Sequence, residues 1–129
     1  MATEDDVRRI VATLPETSID VNPSGQMFAA VRKKSICWTW LERTEPKRRR
    51  VPQPEVLGVR VTGEEEKQEL IAADPEKFFT EDHYNGFPAI LVRLAAVGVD
   101  ELTELLNDAW RIQAPKRLLT ERDGPKSTP

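Results

Sequence analysis

Met27-Phe28-Ala29-Ala30-Val31-Arg32-Lys33-Lys34-Ser35-Ile36-Cys37-Trp38-Thr39-Trp40-Leu41-Glu42-Arg43 is the stretch that decides the fold. Two runs rich in β-branched and aromatic residues flank a short cationic break, which is the pattern of an antiparallel hairpin. Strands are expected at 27–32 and 35–43, with Lys33-Lys34 as the turn. The turn lacks the glycine or asparagine that two-residue hairpin loops favour. Strict alternation puts Ile36, Trp38 and Trp40 on one face and Cys37, Thr39 and Leu41 on the other.

Upstream, a helix is expected over 4–14. Thr3 stands as N-cap, Glu4, Asp5 and Asp6 suit the positive end of the dipole, and Val7, Ile10, Val11 and Leu14 form one apolar stripe. Residues 16–26 read as a loop with room for a short strand at Ser18–Val21. Downstream, 44–54 holds three prolines and the run Lys47-Arg48-Arg49-Arg50. Its prolines cannot donate to a ladder or continue a helix, so an extended, exposed loop is expected. A strand at 55–62 with Leu57, Val59 and Val61 inward comes next, then a helix at 64–73. A connection at 76–87 leads to a strand at 88–94, with Ile90, Val92 and Leu94 on one face. The last helix is expected to start from Asp100 as N-cap and to end before Pro115, with Leu102, Leu105, Leu106, Ala109 and Trp110 as its stripe. A polar tail closes the chain.

The resulting order, α-β-β-β-α-β-α with space for one early strand, joins consecutive strands by short links. That favours an antiparallel sheet, and the helices must cover its apolar face. The expected class is therefore α+β, a two-layer sandwich. The 129 residues suit a single domain, placed at 1–118, with 119–129 as the tail. No apolar run approaches the roughly 18 residues of a membrane span, and the acidic start is no signal peptide. With one cysteine, Cys37, no internal disulfide can form. A cytoplasmic protein is expected.

The net charge of −3 is unevenly spread. Residues 32–60 carry nine cations against three acids, whereas 61–108 carry twelve acids against three cations. A pI near 5.3 argues against generic nucleic-acid binding, although local cationic blocks still steer anions over a Debye length of about 8–10 Å. Phosphate-cradling glycine loops and the nucleophile elbow are absent, and one histidine with one cysteine makes no zinc site. No cofactor is expected, and no enzyme chemistry is legible. Cys37 with His83 is the one conceivable nucleophile and base, but Cys37 sits mid-strand among apolar neighbours and reads as a buried, inert thiol. Trp38 and Trp40 could stack bases, yet a tryptophan pair on one strand face is more often core.

Two candidate sites remain. Lys33, Lys34, Lys47, Arg48, Arg49 and Arg50 would gather six cations at one end of the sheet if their loops lie together, and Lys116 and Arg117 could join them. The second is the loop His83-Tyr84-Asn85-Gly86 with Arg93, which could line a pocket for a small ligand or a protein.

Residues 74–94, Asp-Pro-Glu-Lys-Phe-Phe-Thr-Glu-Asp-His-Tyr-Asn-Gly-Phe-Pro-Ala-Ile-Leu-Val-Arg-Leu, and residues 108–118, Asp-Ala-Trp-Arg-Ile-Gln-Ala-Pro-Lys-Arg-Leu, closely resemble the MmcQ/YjbR family. The central window matches at His83, Tyr84, Gly86, Pro88, Arg93 and Leu94. Phe28, Val31, Lys34 and Trp38 fit the family's strand, basic turn and strand. The resemblance covers about residues 5–118. It implies a small α+β fold like that of secretion chaperones and DNA binding through a winged surface. The function expected from it is non-enzymatic, weak, salt-dependent DNA binding by the basic loops. The alternative is a protein- or ligand-binding module with its pocket at the His83 loop.

Overall fold

The computed structural model describes residues 1–43 and 50–123. Six strands form one antiparallel sheet in the order β1-β2-β3-β4-β6-β5. They are β1 (Thr17–Val21), β2 (Met27–Val31), β3 (Lys34–Glu42), β4 (Val51–Arg60), β5 (Phe78–Phe79) and β6 (Ala89–Arg93). The helices are α1 (Glu4–Ala12), α2 (Glu64–Ala73), α3 (Val99–Gln113) and α4 (Lys116–Asp123). This is the expected α+β class, with the early strand present. No helix among the described residues is long and apolar enough to cross a membrane.

One face of the sheet carries the main core. Val7 and Val11 of α1 and Leu102, Leu106, Ala109 and Trp110 of α3 pack there against Met27, Ala29, Leu57, Val59, Ile90 and Val92. Burying a side chain of this size contributes roughly 1.5–3 kcal/mol. The Trp110 indole donates to the Pro15 carbonyl at 2.9 Å, which locks α3 to the end of α1. Thr3 caps α1 as expected: its hydroxyl accepts from the Asp6 amide, and the Asp6 carboxylate accepts from the Thr3 amide.

Several expectations need correction. The hairpin turn is Arg32-Lys33, since Val31 pairs with Lys34. Both turn residues have positive φ, 50° and 75°, as a two-residue turn between right-twisted strands demands. The alternation of β3 also breaks. A bulge leaves Ile36 without a residue opposite it, so Ile36 and Cys37 both face the main core. Trp38 and Trp40 therefore lie on the opposite face from Ile36 and outside the main core.

Residues 51–54 belong to β4 rather than to a loop. Two features admit their prolines. Pro54 falls in a second bulge, where β3 steps from Thr39↔Leu57 to Trp40↔Gln53. Pro52 faces Leu41, whose carbonyl takes a bond from the Arg50 guanidinium at 2.8 Å in place of the N–H that proline lacks. The last long helix starts two residues early, with Gly98 as N-cap and Asp100 inside the first turn. Residues 116–123 form α4, whose Leu118 is buried in the core, so the chain beyond 118 is not simply tail.

Candidate functional site

The β2–β3 turn and the start of α4 meet at one end of the sheet. Gln113, at the last turn of α3, donates to the Ser35 carbonyl at 3.0 Å and holds the helix end against the hairpin. Glu16, in the α1–β1 connection, accepts from Arg32 at 3.0 Å and from Arg117 at 3.4 Å. Lys33, Lys34 and Lys116 are exposed around this junction and form no ion pair with a described residue. Four of the eight predicted phosphate-binding residues are thus gathered: Lys33, Lys34, Lys116 and Arg117. Two further participants, Arg32 and Glu16, were not among the candidates. Arg32 belongs to the same cationic run as Lys33, but it reads as strand in the sequence. Glu16 carries no local signal at all.

The backbone is strained at the same place. Glu16, Arg32 and Lys33 are the non-glycine residues with positive φ among those described. Each such conformation costs on the order of 1 kcal/mol or more unless surrounding structure enforces it.

Arg50 lies elsewhere. It sits beside Leu41, at the other end of β3, and forms an ion pair with Glu81 at 3.4 Å. Leu41 lies seven positions along the strand from Lys34, which is roughly 23 Å at about 3.3 Å per residue. Arg50 therefore does not join Lys33 and Lys34 in one cluster. Lys47, Arg48 and Arg49 lie outside the described residues.

The outer face of the sheet carries a second, aromatic cluster. Trp38, Gly58, Leu91 and Phe79 stand opposite one another across β3, β4, β6 and β5. The 82–87 loop crosses this row. The Trp38 indole donates to the Tyr84 hydroxyl at 2.9 Å, and the Trp40 indole donates to Glu81 at 2.6 Å. Burial pushes the Glu81 carboxyl up, but bonds from Trp40 and Arg50 outweigh it and hold the group below the usual carboxylate range. Burial raises the Tyr84 phenol, which keeps it protonated near neutral pH.

Lys67 of α2 anchors the loop from behind. Its ammonium is buried and donates to the carbonyls of Tyr84 at 2.7 Å and Phe87 at 3.0 Å. Gly86 has φ of +77°, a value that suits glycine and lets the chain turn between those two carbonyls. A groove of about 390 Å³ opens between the loop and β3, lined by His83, Tyr84, Phe87, Trp38, Ser35, Leu41 and Gln26.

Two of the predicted pocket residues, His83 and Tyr84, line this groove. Asn85, Gly86 and Pro88 shape its loop without lining it. Arg93 is a correction. Its guanidinium lies over the Phe79 ring at 4.1 Å and donates to the carbonyls of Pro75 and Glu76, so it fastens the α2–β5 connection to β6 instead of lining the groove. Cys37 and His83 cannot act as a pair. Cys37 faces the main core on one side of the sheet, with burial pushing its thiol up to about 12, while His83 is exposed on the loop over the other.

Trp38, Phe87 and Lys67 form the groove's framework, and the sequence hides each of them. Trp38 reads as core, Phe87 as loop filler, and Lys67 as an ordinary surface lysine of an acidic helix.

A family model described as YjbR matches residues 12–112. Uncharacterized protein Rv2570 of Mycobacterium tuberculosis is 39% identical over 125 residues, covering 92% of this chain and 94% of that protein. Uncharacterized protein Mb2600 of Mycobacterium bovis matches to the same extent. Among solved structures, the crystal structure of Deinococcus radiodurans protein DR2400, with its DUF419 domain, superposes with a TM-score of 0.68 at 24% identity. That match covers 91% of this chain and 82% of the other, and it supports the α+β fold.

Proposed function

This chain belongs to the YjbR family, and we propose that it is a non-enzymatic module that binds nucleic acid weakly, through phosphates, at the end of the sheet centred on Glu16. The observation that carries this reading is the convergence of Arg32 and Arg117 on one carboxylate, with Lys33, Lys34 and Lys116 around it. Five cations against Glu16 and Glu121 leave a local positive excess on a chain whose net charge is −3. The strained turn projects Arg32 and Lys33 outward, as a wing that grips a backbone would. Arg50 takes no part in this reading, because Leu41 and Glu81 engage it. The cytoplasm is the expected compartment, where the buried thiol of Cys37 stays reduced.

The test is fluorescence anisotropy of labelled duplex and single-stranded DNA at two salt concentrations. Binding should weaken steeply as salt rises. Combined Lys33→Ser, Lys34→Ser and Lys116→Ser replacements should reduce the logarithmic salt slope on duplex by about 2–3, close to one for each phosphate no longer neutralised. No binding at low salt would sink the reading. An unchanged slope in the triple variant would move the interface elsewhere.

A further inference from the structure

We propose that the groove between β3 and the 82–87 loop is a binding site for a small, flat aromatic carboxylate. This site is separate from the basic end.

The groove is built rather than incidental. Lys67 fixes the loop from below through the carbonyls of Tyr84 and Phe87. The Trp38 indole is held from above by Tyr84 and seated over Gly58. A cleft of about 390 Å³ whose walls are locked in this way loses little entropy on filling. Its walls are rings. Phe87 leaves 43% of its surface exposed, a large fraction for a phenylalanine, and its centroid lies 6.1 Å from that of Trp38 at a tilt of 55°. A planar ring laid along them gains offset and edge contacts that a saturated ring cannot.

The polar groups select the ligand's charge. The Tyr84 hydroxyl already accepts from Trp38, so its own O–H is left to donate. Arg60 does not line the groove itself, but its guanidinium lies over the ring of the lining residue Phe87, 5.6 Å from the centroid. It has no carboxylate partner among the described residues, and its buried Nε lacks a hydrogen-bond partner. The nearby Glu81 is already committed to Trp40 and Arg50. The groove therefore presents a free donor beside aromatic walls, and a planar cation without a carboxylate partner among the described residues stands against one of those walls, Phe87. A carboxylate matches that guanidinium fork in shape as well as charge.

The experiment is a titration of the isotope-labelled full chain with naphthoate, followed by amide and indole N–H signals. Naphthylmethanol and cyclohexanecarboxylate serve as the uncharged and non-planar controls. Naphthoate should saturate, shift the Trp38 indole signal and leave that of core Trp110 in place. Both controls should bind about tenfold more weakly or worse. Arg60→Gln and, separately, Phe87→Ala should each cost about tenfold in naphthoate affinity, with the Trp110 signal reporting an intact fold. The triple lysine variant of the basic end should bind naphthoate normally, so this site and the nucleic-acid reading fail independently. Three results would each overturn the proposal: no saturable shift at Trp38, equal binding of the alcohol and the carboxylate, or unchanged affinity in both groove variants.

Discussion

The indole of Trp38 occupies the space above Gly58 on the neighbouring strand, where a methyl group would stand 2.3 Å from its Nε1. Glycine is needed at 58 for this close approach and not for its backbone freedom. Gly58→Ala should push the indole off its seat, break its bond to Tyr84 and destabilise the protein by about 1–3 kcal/mol. Urea denaturation measures the loss, and the Trp38 indole N–H resonance reports the movement. A variant as stable as the parent would mean that the indole relocates freely.

Lys67 holds the loop by donating to two carbonyls from a buried position. Lys67→Met keeps the volume but takes the ammonium from both carbonyls, leaving Tyr84 with the Phe87 amide and Phe87 with the Ala89 amide as donors, at a cost of about 1–2 kcal/mol. Hydrogen exchange should accelerate across 82–87 and remain slow in β3 and β4. Uniform acceleration would place the role of Lys67 in global stability instead.

Glu16 restrains the basic end. Glu16→Gln should release Arg32, leave Arg117 paired with Glu121 alone, and tighten DNA binding about threefold or more, with a steeper salt dependence. Its ion pairs are half-exposed, and their loss should cost at most about 1 kcal/mol of stability. Weaker DNA binding in this variant would show that the carboxylate organises the site rather than masking it.

Glu81 should give the acid limb of the stability curve part of its slope. Its folded pKa lies below the usual carboxylate value, so its contribution is complete above the unfolded pKa and is lost as pH falls through the folded one. Glu81→Gln should be less stable than the parent at pH 7, and the gap should close as the pH is lowered past 4. Urea midpoints across that range decide it, and a gap independent of pH would rule out the carboxylate's charge as the cause.

Cys37 should resist thiol reagents in the native protein. Burial raises its thiol to about 12, and no side of it meets solvent. Modification by a chromogenic disulfide should proceed at the rate of opening and become fast only in denaturant. Rapid labelling of the folded protein would mean that β3 opens locally.

Much of the fold is readable along the chain. Helix stripes, caps and strand lengths are local signals, and they place α1, α2, α3, β2, β3 and β6 within a few residues. Bulges are not local. The pairing of Ala29 with Cys37 and of Ala30 with Ser35 depends on a partner strand, and that one extra residue puts both tryptophans on the other face. Pro52 reads as a strand breaker because the sequence does not reveal that Arg50 serves the opposite carbonyl. Of the candidate sites, the His83-Tyr84 motif is legible as a loop of consequence, whereas its anchor Lys67, 17 residues from Tyr84, is not.

The sequence by itself determined the class, the order of the elements, the inward stripes and the existence of a cationic turn. All of these follow from periodicities of 3.6 and 2 residues and from where glycine and proline fall. Only the tertiary structure decided which cations stand together. Arg117 reaches Glu16 across 101 residues of chain, while Arg50 lies a full strand length from Lys34. Charge and shape complementarity act between neighbours in space, and a chain's neighbours in space are set by strand register and helix docking, which no local pattern encodes.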